Sequence, residues 1–330
     1  MRRLAYTLAA AAAAAVGLAW MAYAVWPLAL ARTPTELIVR QGDNARTLGA
    51  SLREQGVPVP GWAFELAARL RGEARRLRAG SFELTEAPTL RGLLDRIVRG
   101  DANQAELRLI EGWTFAQIRA ALAAEPRLRH DATELSEARL LERLGATEPS
   151  VEGLFYPDTY AFAPQSGELS VLARAYRRQQ RALAELWAQR RPDTPLRSAY
   201  EALVLASIVE KETGRAAERP QVAAVFLNRL RRGMLLQSDP TTIYGLGAAF
   251  DGNLRRRDLA GDTPYNTYVR AGLPPTPIAT PGLAALRAVI EPADSDALYF
   301  VARGDGSSQF SDTLESHNRA VRQYQKGSQP

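Results

Sequence analysis

The sequence predicts an α+β protein that carries a single N-terminal transmembrane helix, a small α+β domain and a larger α+β domain. Three features carry that expectation: an uncharged run from Leu4 to Ala31, three short strand–turn–helix patterns between residues 36 and 126, and a helix-rich remainder that closes on a hairpin pattern. With 330 residues and 46% hydrophobic content, the chain is longer than one domain of ~100–200 residues needs. The predicted segments are 1–32 for a cytoplasmic tip and anchor, 33–108 for the small domain and 109–330 for the larger one.

The uncharged run is preceded by Arg2 and Arg3 and followed by Arg32. A helix crossing the hydrocarbon needs ~20 apolar residues, and positive charge holds its near end in the cytoplasm. Trp20, Tyr23 and Trp26 then fall where amphipathic rings favour the outer interface, and Pro27 ends the helix. The alternative is a cleaved signal peptide, with Ala29-Leu30-Ala31 as its small-x-small site. Signal cores run to only ~7–15 residues, which favours a retained anchor. Both readings export the rest of the chain.

The three repeated patterns are ELIVRQGDNARTLGASLREQ (36 to 55), GSFELTEAPTLRGLLDRIVRG (80 to 100) and AELRLIEGWTFAQIRAALAAEP (105 to 126). Each reads as a strand, a turn and a Thr-Leu or Thr-Phe that opens an amphipathic helix. In the second, Leu90, Leu93, Leu94 and Ile97 recur at helical spacing, while Phe82 and Leu84 alternate as in a strand. None of the units buries its apolar face alone, so they are expected to pack together. The first resembles a LysM-like element, a fold that commonly holds N-acetylglucosamine polymers; a spacer without sugar contact is the alternative.

From 131 to 197 the chain is expected to be mostly helical, around Leu140, Leu141 and Leu144 and then from Leu172 to Trp187. Between these lies EGLFYPDTYAF (152 to 162), read as a packed aromatic loop, with sugar stacking as the alternative. The segment 219–232 is a scaffold helix ending before Gly233, with Val222, Val225, Phe226 and Leu230 facing inward. ALYFVAR (297 to 303), a GDGS turn, SQFS and a helix through Tyr324 complete the domain.

Residues 198–214, SAYEALVLASIVEKETG, read as a buried helix that ends in a left-handed Gly214. Glu212 follows Leu205, Ile208 and Val209 on one face, whereas Glu210 follows Leu203, Ala206 and Ser207. Burial and the negative end of the helix dipole both favour a protonated Glu212, which is what a general acid needs. The bland alternative is a solvated Glu-Lys-Glu helix end, and a change of register would exchange the roles of Glu210 and Glu212. Gln237, Asp239, Thr241 and Tyr244 in QSDPTTIYG, and Tyr265, Asn266 and Tyr268 in YNTY, lie in stretches read as loops. They are cleft candidates as a set, although turn chemistry explains any one of them.

Composition narrows the chemistry. Without cysteine there is no thiolate nucleophile, and with only His130 and His317 no His-rich zinc site assembles. The net charge of +6 comes from scattered arginines without interleaved aromatics, so an anionic wall polymer or lipid surface is a better partner than nucleic acid.

Four blocks, ASIVEKETG, ERPQVAAVFLNRLRRGMLLQSDPTTIYG (218 to 245), TPYNTYVRAGLPPTPIATPG (263 to 282) and SHNRAV (316 to 321), resemble in order those of the MltG (YceG-like) endolytic murein transglycosylase family. The resemblance implies a lyase, anchored in the cytoplasmic membrane with its catalytic part outside, that cuts nascent peptidoglycan strands beside penicillin-binding proteins. It places the catalytic acid at Glu212 and implies 1,6-anhydro-N-acetylmuramic acid ends and no cofactor. A pyridoxal phosphate lyase, an older label for the family, would need a Schiff-base lysine from Lys211 or Lys326 and a cytoplasmic site. The rival from another class is a non-catalytic peptidoglycan-binding scaffold.

Overall fold

The computed structural model describes residues 2–325 apart from 32, 34, 41, 85, 101–104 and 163. The chain forms two compact units: Met1–Leu107 with Glu125–Arg129 and Ala161–Gly167, and Arg108–Ala124 with His130–Tyr160 and Glu168–Pro330.

The first unit begins with α1 (Arg2–Ala24), which occupies the place of the expected anchor. Among the described residues no helix is long and apolar enough to cross a membrane. After it, β1 (Thr35–Val39) pairs antiparallel with β2 (Gly80–Leu84), Leu37 opposite Phe82. The helices α2 (Ala45–Ser51), α3 (Gly61–Leu70) and α4 (Leu90–Arg99) complete this unit. Leu37, Leu48, Phe64, Phe82, Leu93 and Ile97 are buried together. A Cβ on Gly49 would come within 2.7 Å of the Gly61 carbonyl oxygen, so α2 and α3 approach at a point only glycine permits.

Two of the three expected helix starts hold as read: the Thr89 and Thr114 hydroxyls cap α4 and α5 (Phe115–Ala123). The first does not. Asn44 caps α2 through the amides of Arg46 and Thr47, which puts Thr47 inside the first turn, where it answers from the other side of a capping box. The strand β3 (Ala105–Arg108) pairs with β4 (Thr159–Phe162), so the end of the EGLFYPDTYAF segment is a strand and not a loop. Its aromatics do pack: Phe155, Tyr160 and Phe162 are buried.

The second unit is built around α8 (Ala199–Glu212), in which every residue from Ala202 to Val209 is buried. It packs against α7 (Glu168–Ala188), α9 (Arg219–Arg231) and α12 (Leu283–Ile290). Such all-round burial is why this stretch lacks a polar face. The short α6 (Glu137–Leu144) precedes this core, and α10 (Asp239–Leu246) and α11 (Arg256–Ala260) follow α9. The hairpin of β5 (Tyr299–Ala302) and β6 (Ser308–Ser311) and the helix α13 (Leu314–Tyr324) close the unit as the sequence pattern requires.

Candidate active site

Because α8 is buried over its middle and ends at Glu212, it delivers one carboxyl group to the edge of the core. The expected left-handed glycine is absent. Thr213 leaves the helix directly in an extended conformation (φ −142°, ψ 128°), and its amide closes the last turn on the Val209 carbonyl at 3.4 Å. No left-handed residue is then needed, and Gly214 does not adopt one.

Glu212 is partly buried and accepts a 2.5 Å hydrogen bond from the Ser238 hydroxyl at Oε1. Ser238 stands at the N-cap position of α10 yet makes no capping bond. A serine there ordinarily satisfies helix amides; this one points its hydroxyl at the carboxylate instead. Burial pushes the Glu212 carboxyl up to about 7, against the Ser238 hydrogen bond, with Asp239 adding to the rise and Arg229 opposing it. The group is thus poised to give and take a proton near neutrality.

Glu210 has a different environment. Its carboxylate pairs with Arg219 at 2.8 Å and accepts the Gly282 amide at 2.9 Å, and both charged side chains are nearly enclosed. A carboxylate committed to a buried cation and a backbone amide is a structural tie.

The remaining candidates fall into three groups. Gln237 and Asp239 are exposed, and Asp239 accepts from the Tyr268 hydroxyl at 2.5 Å, so these three surround the end of α8 with Glu212 and Ser238. Thr241 and Asn266 are buried and spend their polar atoms inside. Thr241 bonds the Ser238 carbonyl and Thr267, and the Asn266 amide donates to the Asp258, Leu259 and Gly261 carbonyls. Both hold the surrounding loops through these bonds. Tyr244 and Tyr265 are half-buried and meet edge to face at 4.9 Å, with Tyr244 donating to Glu152 and Tyr265 sharing a hydrogen bond with Thr276. QSDPTTIYG is not a loop but the opening of α10, because Pro240 in a first turn starts a helix.

With this geometry in hand, the wider comparison is informative. The YceG-like family model matches residues 37–323 of the chain. The chain belongs to the YceG-like family. It is 29% identical over 310 residues to a Bacillus subtilis (strain 168) protein named endolytic murein transglycosylase, covering 89% of this chain and 85% of that protein. A Streptococcus pneumoniae (D39) protein of the same name is 28% identical over 319 residues, which cover 87% of this chain but only 57% of the relative. A crystal structure of a yceG-like protein from Listeria monocytogenes aligns with a TM-score of 0.56 at 28% identity, over 86% of this chain and 97% of the other. The mixed α+β architecture is therefore that of a YceG-like fold.

Sequence reasoning about this YceG-like chain overlooked Ser238, Arg229 and Glu152. Glu152 is buried and accepts from the Phe115 amide at 2.9 Å and the Tyr244 hydroxyl at 3.0 Å. Burial nevertheless pushes its carboxyl up to about 7, against those donors. Both Glu152 and Glu212 keep a proton in the folded state over a range where an ordinary carboxyl at 4.5 has lost it. The folded state then binds more protons than the unfolded one, so stability falls as pH rises from about 4.5 to about 7. Across that window each carboxyl accounts for a loss of roughly 3 kcal/mol at most. Chemical denaturation at pH 5 and pH 8 should find the protein less stable at pH 8, and Glu152→Gln should narrow the gap. A gap that Glu152→Gln leaves unchanged would remove Glu152 from this account.

Proposed function

We propose that the chain is an endolytic peptidoglycan lytic transglycosylase whose catalytic acid and base is Glu212. The observation that carries the reading is a single carboxyl at the end of a buried helix, raised to about 7, with Ser238 on one oxygen. The names of the Bacillus and Streptococcus relatives support it.

Glycosidases that use water or a covalent intermediate need two carboxylates flanking the bond. One is enough when the substrate carries its own nucleophile. Glu212 gives its proton to the oxygen between N-acetylmuramic acid and N-acetylglucosamine as the C1–O bond breaks, and the N-acetyl group stabilises the developing cation. The carboxylate left behind takes the proton of the muramic acid C6 hydroxyl, whose oxygen bonds to C1 and closes the 1,6-anhydro ring. No water is consumed. The tethered nucleophile supplies a high effective molarity, so the protein has to orient the sugar and keep one carboxyl oxygen free. Ser238 on Oε1 leaves Oε2 for the substrate. Gln237, Asp239 and Tyr268 offer amide, carboxylate and phenol partners for sugar hydroxyl and acetamido groups.

We further propose that the whole uncharged run from Leu4 to Ala31, and not α1 by itself, anchors the chain in the cytoplasmic membrane with the rest outside; α1 is its helical part. Val16, Leu18, Trp20, Val25 and Trp26 are exposed along its outer half and just beyond, and a bilayer would cover them. The proposed domains are the anchor (1–32), a LysM-like segment (33–108) and the catalytic segment (109–330), with wall synthases such as penicillin-binding proteins as partners. Incubating the full chain in detergent with isolated peptidoglycan should release fragments ending in 1,6-anhydro-N-acetylmuramic acid, identified by mass spectrometry. Reducing ends as the main product would mark a hydrolase and direct attention to Asp239 as a second carboxylate. Binding to the wall without release would favour a scaffold.

A further inference from the structure

Arg229 is a buried cation on α9, 8% exposed, and the reaction scheme above does not use it. Its Nε donates to the Leu298 carbonyl at 2.7 Å, beside β5. Its Nη1 donates to the Leu236 carbonyl at 2.8 Å, the Leu235 carbonyl at 3.2 Å and Gln237 Oε1 at 3.3 Å. The guanidinium also lies over the Tyr299 ring, 5.2 Å from its centre, and that ring stacks in turn on His317 at 5.1 Å. One planar fork thus ties the loop after α9 to the closing hairpin, a task that a lysine ammonium, with its compact point charge, performs poorly.

The loop it holds is strained. Gln237 has φ +52°, a region that non-glycine residues adopt at a cost and keep only when their surroundings enforce it. Its amide is fixed to the Thr267 carbonyl at 3.0 Å, and the next residue is Ser238, whose hydroxyl meets Glu212. The strain sits one residue from Ser238, the hydrogen-bond partner of the proposed acid.

We propose that Arg229 is a positioning residue for the reaction: from inside the protein it secures the strained turn at Gln237 and so holds Ser238 against Glu212. This inference rests on the reading of Glu212 as the acid. It explains why a buried cation is kept without an ion pair among the described residues, since its acceptors are the carbonyls that set the loop. The same charge favours the ionised form of Glu212 and opposes the effect of burial. The other groups facing Glu212 are Ser238 and Asp239 at the start of α10, which bond to it and raise it respectively, and Tyr268 from the segment after α11. Around Arg229 stand Tyr268, Tyr299 on β5 and His317 on α13, whose imidazole is held low by burial and by this cation.

The test compares Arg229→Gln, Arg229→Lys and Glu212→Gln in the full chain, with kcat and KM for glycan cleavage measured from pH 5 to 9. For Arg229→Gln we expect kcat to fall roughly 10–100-fold with KM within twofold, because a misplaced catalytic group costs turnover and not binding. Its alkaline limb should move to higher pH, since the cation that favours ionised Glu212 is gone. Repeating the profile in a His317→Gln background keeps the imidazole out of it. Arg229→Lys should keep the alkaline limb in place and lose kcat by less, and this variant carries the test if Arg229→Gln does not fold. A loss that falls on KM, or a kcat profile in which neither variant differs from the parent, overturns the positioning role. If Glu212→Gln retains turnover, the reading of the acid itself fails; if it is inactive while the Arg229 variants are normal, only the present inference fails.

Discussion

Glu212→Gln is expected to abolish glycan cleavage while leaving the fold and binding to the wall intact. The amide keeps the shape of the side chain and an oxygen for the Ser238 hydroxyl, which bonds Oε1 at 2.5 Å. It has no proton to give to the leaving oxygen and no basic site for the C6 hydroxyl. Losing a general acid or base typically costs ~10²–10⁴-fold, and here one group serves both steps. Stability should hold or improve above neutral pH, because a buried carboxyl that is raised to about 7 is costly to ionise and the amide removes that cost. The signature is therefore a turnover close to zero, an unchanged or higher melting temperature at pH 8, and normal cosedimentation with peptidoglycan. Near-normal turnover in this variant would end the single-carboxylate scheme at α8.

How far the sequence could be read depends on the distance over which each feature is determined. The buried helix α8, the Thr89 and Thr114 caps and the closing hairpin are set by residues close in the chain, and periodicity or turn chemistry reveals them. The helix α3 was not anticipated, because Trp62, Leu66 and Leu70 are exposed on it and blur its apolar stripe, while Pro60 offers no capping side chain. The helix α10 hides behind Asp-Pro and glycine, which serve loops as readily as helix starts.

The site divides in the same way. Glu212 is legible only in part: the sequence places it at the end of a buried helix. Because α8 is buried all round, spacing from Leu205 and Ile208 does not by itself separate it from Glu210, which is also enclosed. The partner of Glu212 is not legible: Ser238 lies 26 residues away, and nothing in QSDPTT tells a capping serine from one whose hydroxyl is drawn to a carboxylate. Glu152 meets Phe115 and Tyr244 across 37 and 92 residues, so its burial is a product of tertiary packing alone. Thr241 and Asn266 show the converse. Their types suit a sugar, and the folded chain uses them on its own carbonyls and hydroxyls.

Glu210→Gln, two residues from the proposed acid, is expected to show the opposite signature: a clear loss of stability with chemistry preserved in the folded fraction. The Glu210 and Arg219 side chains are only 5% and 10% exposed and meet at 2.8 Å. Removing one partner of such a pair leaves the other charge buried without compensation, which typically costs about 3–5 kcal/mol. The amide still accepts one hydrogen bond, so the lower end applies, and at roughly 2–4 °C per kcal/mol the melting temperature should drop by several degrees. Because Glu210 also accepts the Gly282 amide, the start of α12 should loosen with it. Replacing both residues, as Glu210→Gln with Arg219→Gln, should cost less than the two single losses added together, because the stranded cation is gone. Calorimetry on the three variants, with turnover measured well below their melting temperatures, separates the two acids of the Glu-Lys-Glu element. Inactive but stable Glu210→Gln beside active Glu212→Gln would reverse their roles, and strictly additive losses would mean that Glu210 and Arg219 are not coupled.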